Sequence, residues 1–327
     1  MALITRRRLF HTAFSFAVTA AMAPLSAVGA EPAPRRIAYV VSDLRIPFWD
    51  IMWRGIQSRA AALGYQAKAY SADNNARSEI TNLVDVIRSG VSGIILSPTN
   101  SSAAVTLLKL ANDAAIPVVV ADIGADGGEY VSYISSDNRD GAYRIGRVLA
   151  AKLKALGWAD GRVGIIAIPQ KRANGQARTA GFMQAMEEAG LKGAGIRQQV
   201  DFSYQETFDH TRDLLATAPD IRAIWLQGSD RYQGALDAIA AAGRTGQVLL
   251  MTFDAEPEFL EMIPRGTLAG AGMQQPFLMG ERAVETMARH HNGQPVEREQ
   301  KLPVLAVSED NIKAEMSTIR RNVLGLK

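Results

Sequence analysis

The sequence predicts an α/β protein made of two similar, doubly wound parallel-sheet domains, and three observations predict it. Short Val- and Ile-rich runs alternate with amphipathic stretches along the chain, the order that builds a parallel sheet covered by helices. Several of those runs are apolar at consecutive rather than alternate positions, which is how strands buried on both faces read. The rhythm from about Arg162 onward repeats that of the first half, and the runs together are too many for one doubly wound unit of 327 residues.

Taken in order, the predicted strands are 37–41, 66–71, 93–98, 116–122, 130–136, 162–169, 195–202, 221–227, 247–254 and 266–273. A helix follows Pro47, and others are predicted over 77–89, 101–114, 139–156, 176–189, 205–218, 232–242 and 275–291. The 77–89 stretch shows the reason: Ile80, Leu83, Val84 and Ile87 fall on one stripe at helical spacing. Gly64, Gly90, Gly157, Gly190 and Gly243 stand just past helix ends, where a left-handed residue closes the last turn. Residues after Ser308 read as a helical tail. No Pro/Gly/Ser-rich linker separates the halves, so short ordered crossings join them.

The first thirty residues are set apart. Arg6, Arg7 and Arg8 precede an apolar stretch from Phe14 to Ala23, and small residues lead to Ala30. That is the layout of a cleaved export signal over residues 1–30, and Thr5-Arg6-Arg7-Arg8-Leu9-Phe10 fits a twin-arginine pattern. The apolar core is shorter than a membrane span needs. Removing those three Arg from the 36 basic residues leaves 33 against 33 acidic ones, so the formal charge of +3 belongs to the signal. No basic footprint for nucleic acid remains. Cysteine is absent, which excludes disulfides and thiolate chemistry.

In open α/β sheets a ligand sits beyond the carboxyl ends of the strands. Phe48 and Trp49 follow the first strand, Asp122 the fourth and Asp254 the ninth. Arg172, Asn174 and Arg178 follow the sixth, Phe202 and Tyr204 the seventh, and Gln274 the tenth. Such tips suit a polar, hydroxyl-rich small molecule: carboxylates accept from hydroxyls, a guanidinium donates, and flat rings cover C–H faces. Plainer roles stay open for each. Asp122 and Asp254 suit caps or turns, Phe48 and Trp49 suit a core, Arg178 suits an exposed ion pair, and Gln274 suits a solvated loop. Asp73-Asn74-Asn75 reads as a turn. His290-His291 suits a helix C-terminus, and no metal or cofactor site is expected. The chain lacks nucleophile-elbow, zinc-protease and phosphate-loop motifs. The two Asp could form an acid/base pair, but the sequence supplies no reason to perturb either pKa.

With those residues in view, the chain resembles the ribose-binding-type sugar receptors, the type I periplasmic binding proteins. The resemblance runs from about Arg36 to Val307. It rests on Val40-Val41-Ser42, Pro47-Phe48-Trp49, Leu63-Gly64-Tyr65, Ser97-Pro98-Thr99, Ile116-Pro117-Val118 and Ser136-Asp137-Asn138. It continues through Arg178-Thr179-Ala180-Gly181-Phe182, Gly234-Ala235-Leu236, Phe253-Asp254 and Gln274-Gln275-Pro276. The resemblance implies two lobes joined by three hinge crossings, one of 36–136 plus 275–303 and one of 137–274 plus 304–327. It implies that Phe48 and Trp49 stack on a sugar ring, that Asp122, Arg178, Asp254 and Gln274 bond its hydroxyls, and that Phe202 closes the other side. It further implies a monomeric, non-enzymatic periplasmic receptor that delivers a sugar or polyol to an ABC permease, or alternatively signals to a sensory membrane receptor. Ile46, Ser97 and Gly228 stand where the family often carries amides. That departure implies a ligand other than ribose, such as a deoxy sugar, a branched polyol or a furanose-like molecule.

Overall fold

The structure, a computed structural model, describes residues 1–2 and 35–326. The expected export signal over 1–30 therefore lies, but for its first two residues, outside the described residues. From there the chain runs β1 (Arg36–Val41), α1 (Pro47–Ala62), β2 (Gln66–Ser71), α2 (Ala76–Arg88), β3 (Gly93–Ser97), α3 (Ser101–Asp113), β4 (Val118–Ala121) and β5 (Ser132–Ser136). It continues through α4 (Asn138–Ala155), β6 (Arg162–Ala167), α5 (Ala173–Glu188), β7 (Lys192–Gln198), α6 (Tyr204–Thr217), β8 (Ile221–Leu226), α7 (Tyr232–Ala241) and β9 (Leu249–Phe253). It ends with α8 (Phe259–Met262), β10 (Gly270–Met273), α9 (Pro276–His291), β11 (Glu299–Leu302), β12 (Leu305–Val307), α10 (Ile312–Thr318) and a π-turn at Ile319–Val323.

These strands form two six-stranded sheets with the same plan, β11-β5-β4-β3-β1-β2 and β12-β10-β9-β8-β6-β7. The consecutive apolar runs are explained by burial on both faces. Along β1, Ile37, Tyr39 and Val41 join one core cluster while Ala38 and Val40 join another. Along β6, Ile166 faces one cluster and Val163, Ile165 and Ala167 the other. All strand pairs are parallel except β10–β12, which is antiparallel because the chain enters β12 straight from the first sheet.

The chain passes between the sheets three times. It leaves β5 for α4, which packs on α5, β10 and β12 of the second sheet. It returns from β10 to α9, which packs on α1, β4 and β5 of the first. It crosses last between β11 and β12. The five glycines expected past helix ends all have positive φ, from 66° at Gly243 to 72° at Gly64 and Gly157. Some sequence expectations differ from the structure: the tenth strand begins at Gly270 rather than 266, and the short helix α8 was not expected. The seventh strand ends at Gln198, not 202: Gln199 N–H still donates to Ala167 O, but Glu206 then accepts from the N–H groups of Val200, Asp201 and Phe202, drawing them out of the ladder. Strands β11 and β12 were absent from the sequence reading. The helical tail is present as α10 and the π-turn.

Candidate functional site

The carboxyl ends of both sheets face one cavity. Its walls enclose about 390 Å³ of space, part of it open to solvent, and include Phe48, Trp49, Asp122, Arg178, Phe202, Asp254 and Gln274. All seven residues singled out from the sequence are thus brought together. Ile46, Ile168, Arg172, Asn174, Gly228 and Asp230 also line it. Of these, Arg172, Asn174 and Asp230 carry chemistry that the seven-residue set omitted, and their positions just beyond strand tips were the signal. Ser97 is not among the lining residues; it is fully buried and accepts a hydrogen bond from the Tyr39 hydroxyl at 3.1 Å.

The twofold likeness of the sheets extends into the site. Asp122 follows β4 and Asp254 follows β9, which hold the same place in their sheets. Each makes one last ladder bond, Asp122 N–H to Ile134 O and Asp254 N–H to Gly272 O, both 2.9 Å. Each then turns into the left-handed region, with φ of 65° and 68°. Asp tolerates that region better than most residues, and the turn aims the carboxylate across the strand ends. Neither residue caps a helix: α8 begins after Glu258, and the segment after Asp122 is a loop.

The charged groups hold one another in place. Arg178 is 3% exposed, so it is no surface ion pair. Its Nε donates to Asn138 Oδ1 and its Nη1 to Gln227 O, both at 2.8 Å. Its guanidinium lies over the Phe253 ring at 4.2 Å and within 3.6 Å of Asp254 Oδ2. The Gln274 amide donates to Asp254 Oδ1. Asn174 Nδ2 lies 3.5 Å from Asp122 Oδ1. Burial pushes the Asp122 carboxyl up to about 6 against the pull of Arg178, and burial also raises Asp254. Burial brings Asp230 to about 6 as well. The sequence supplied no reason to perturb the two Asp, since desolvation is a tertiary effect that the local sequence does not carry.

Three buried polar atoms of cavity-lining residues have no hydrogen-bond partner: Trp49 Nε1, Gln274 Oε1 and Asp230 Oδ2. Arg231 Nη1 comes within 2.9 Å of Asp230 Oδ2, but its hydrogen bond goes to the Asp230 backbone oxygen. Trp49 Nε1 is a donor and Gln274 Oε1 an acceptor, and buried polar atoms without partners are costly, so the cavity favours a molecule offering both donors and acceptors. The aromatic walls are rigidly set. Phe48 meets Trp49 edge to face, centroids 6.1 Å apart. Trp49 belongs to the core cluster under β1 as well as to the cavity, so the platform and core readings are both true of it. Phe202 has φ of 54°, held by Glu206 from one side and by Arg231, which donates to its carbonyl, from the other.

The sequence profile described as a periplasmic binding protein domain matches residues 37–295. The chain belongs to this family. A ribose import binding protein of Haemophilus influenzae is 32% identical over 293 residues, covering 90% of this chain and 96% of that protein. The ribose import binding protein of Escherichia coli K12 is 32% identical over 261 residues, covering 80% of this chain and 86% of its own length. Among solved structures, a carbohydrate transporter solute binding protein from Agrobacterium radiobacter in complex with D-arabinose matches with a TM-score of 0.82. It shares 23% identity, covering 90% of this chain and 100% of that one. The periplasmic binding protein fold accounts for the paired sheets, the three crossings and the cavity at the strand ends.

Proposed function

We propose that this protein is a periplasmic solute receptor that closes its two lobes over a sugar or sugar-like polyol and delivers it to an ABC importer in the inner membrane. The observation that carries the reading is the cavity wall, where Phe48, Trp49 and Phe202 stand among Asp122, Asn174, Arg178, Asp254 and Gln274. Aromatic faces match the C–H faces of a sugar ring, and paired carboxylates, amides and guanidinium match its hydroxyls. Relatives described as ribose import binding proteins support the sugar class.

Phe48 and Trp49 form the stacking platform in this proposal, and Phe202 is the opposing lid. Asp122, Arg178, Asp254 and Gln274 are the hydroxyl partners, joined by Asn174 and Asp230. Ile46 and Gly228 line the cavity without an amide to offer, so the ligand carries fewer hydroxyls toward that wall than ribose does, as in a deoxy sugar, a branched polyol or a furanose-like molecule. The protein acts as a monomer without a cofactor, is exported by a cleaved signal through the twin-arginine route, and releases its ligand chemically unchanged.

The test is a thermal-shift screen of the mature chain against pentoses, hexoses, deoxy sugars, polyols and furanose-type molecules. A ligand at about 100 times its dissociation constant adds about 2.7 kcal/mol of stability, and a melting point raised by several degrees is expected for at least one class. No shift across the panel overturns the sugar reading. D-Ribose binding tighter than any other member overturns the narrower expectation. Recovery of a modified sugar after incubation overturns binding without turnover.

A further inference from the structure

Arg172 differs from Arg178, Asp230 and Asp254 in that its side-chain partners lie across the cleft, as does the Asn174 partner of Asp122. It stands at the start of α5, on the second lobe, and is 4% exposed. Every hydrogen bond of its guanidinium goes to the first lobe. Nε donates to Thr99 O at 3.1 Å, and one Nη donates to Asn74 Oδ1 at 3.0 Å and lies 3.5 Å from Ser42 Oγ. Burial weighs most on its charge and lowers its pKa to about 10; Asp122, Glu79 and Asp43, which offset that cost, are all on the first lobe, while Arg178 of its own lobe adds to it. Its cationic plane lies 5.6 Å from the Trp49 ring and 5.3 Å from the Phe202 ring, one aromatic from each lobe. Glu79, fully buried beneath, accepts from Thr99 N–H and Oγ1 at 2.7 and 2.8 Å and so fixes the carbonyl that Arg172 grips. The next residues add to the same seam: Ala173 N–H donates to Ser101 Oγ at 3.2 Å. Asp254, Gln274 and Arg178, by contrast, bond chiefly within the second lobe and its crossings, so lobe separation leaves those bonds intact.

We propose that Arg172 is a positioning residue, the latch that holds part of the ligand-free population closed and thereby sets the affinity of the site. Opening the lobes strips Arg172 of its partners and returns it to water, whereas closing pairs it with buried oxygens in a setting of low dielectric. A latch of this kind acts on the closed fraction, and the apparent dissociation constant of any ligand scales inversely with that fraction. Breaking the latch from the first-lobe side at Asn74, which does not line the cavity, therefore weakens every ligand by one common factor. Loss of a residue that reads hydroxyls weakens ligands unequally, according to their hydroxyl pattern.

The inference rests on the receptor reading above, and its test separates the two. Because the chain has no cysteine, an Arg77→Cys, Gln205→Cys pair places one spin label on α2 of the first lobe and one on α6 of the second. Pulsed-EPR distances are then read on the mature, ligand-free chain. A closed and an open population are expected, with the closed one depleted in Arg172→Met and partly restored in Arg172→Lys. Asn74→Gly, which keeps the positive φ at that position and removes the acceptor across the cleft, is expected to deplete it too and carries the test should the Arg172 variants misfold. In Asn74→Gly each sugar that binds the parent chain should lose affinity by the same factor, at least tenfold. An unchanged distance distribution, no closed population in the parent chain, or losses that differ from sugar to sugar would each overturn the latch. If no sugar alters the distances of the parent chain, the receptor reading fails, while the latch is still decided by the ligand-free distributions.

Discussion

Asp122 and Asp254 show how the site is made at the scale of single residues. Both were visible in the sequence as acids after β runs, yet that pattern alone did not distinguish a cap from a ligand-facing carboxylate. Backbone φ and burial, which depend on neighbouring strands, show that neither residue caps a helix and that both line the cavity. Asp254→Asn keeps the side-chain size and the tolerance of positive φ but removes the charge facing Arg178. It is expected to weaken sugar binding by about 1.5–3 kcal/mol, the range for a hydrogen bond to a charged group, as isothermal titration would show. Affinity equal to the parent's would mean that Asp254 only shapes the turn. Glu79 carries a second prediction. Burial raises its carboxyl to about 7 despite hydrogen bonds from Thr99 and the pull of Arg172, whereas an unfolded Glu titrates near 4.3. Between those values the folded protein holds a proton that the unfolded chain has lost. Glu79 thus contributes stability that is complete at low pH and declines as pH rises toward 7 and beyond. Urea melts at pH 5 and pH 8 should therefore differ less for Glu79→Gln than for the parent protein. An identical pH difference in both would place the Glu79 pKa near its ordinary value.

Elements pair through glycine at two equivalent places. A Cβ on Gly280 of α9 would stand 2.2 Å from Met52 O of α1, and one on Gly55 of α1 would stand 2.2 Å from Phe277 O of α9. In the second lobe, a Cβ on Gly181 of α5 would stand 2.1 Å from Arg139 O of α4. These contacts are with backbone, which cannot swing aside. Gly280→Ala should therefore destabilise by about 3 kcal/mol, the upper end for overpacking, with α1 forced away from α9 and the Phe48–Trp49 platform displaced with it. Denaturant melts and the affinity for a bound sugar would both report this; a stability within 0.5 kcal/mol of the parent's would show that the helices separate freely. Most helices and ten strands were legible because apolar period and cap glycines are local signals. The strands β11 and β12 were not. Glu299–Leu302 is polar at an edge, and Leu305–Val307 is three residues long. Each becomes a strand because β5 or β10 offers it hydrogen bonds.

At the scale of the whole molecule, the tail that had no role in the sequence reading ties the lobes at the crossings. Ile312, Ile319, Val323 and Leu324 are buried in a core cluster of the second lobe. Arg54 of α1 donates to the carbonyls of Leu324 and Gly325, Arg321 pairs with Glu281 of α9, and Asn322 donates to Gln275 in a crossing. Deleting residues 319–327 removes three buried aliphatic side chains worth about 1.5–3 kcal/mol each. The melting point of the ligand-free protein should fall by several degrees; an unchanged value would show that the tail packs without stabilising.

By itself, the sequence determined the α/β class, the repeat of one plan in two halves and the residue types at the strand tips. Hydrophobic period and strand-end position are properties of neighbouring residues, so they can be read along the chain. Tertiary structure alone decided that β4 and β9 present Asp122 and Asp254 to one cavity, that their carboxyls are desolvated, and that Arg172 reaches across the cleft. Those facts depend on which distant segments meet. Burial and pairing between residues far apart in the chain arise only when both lobes have folded against each other.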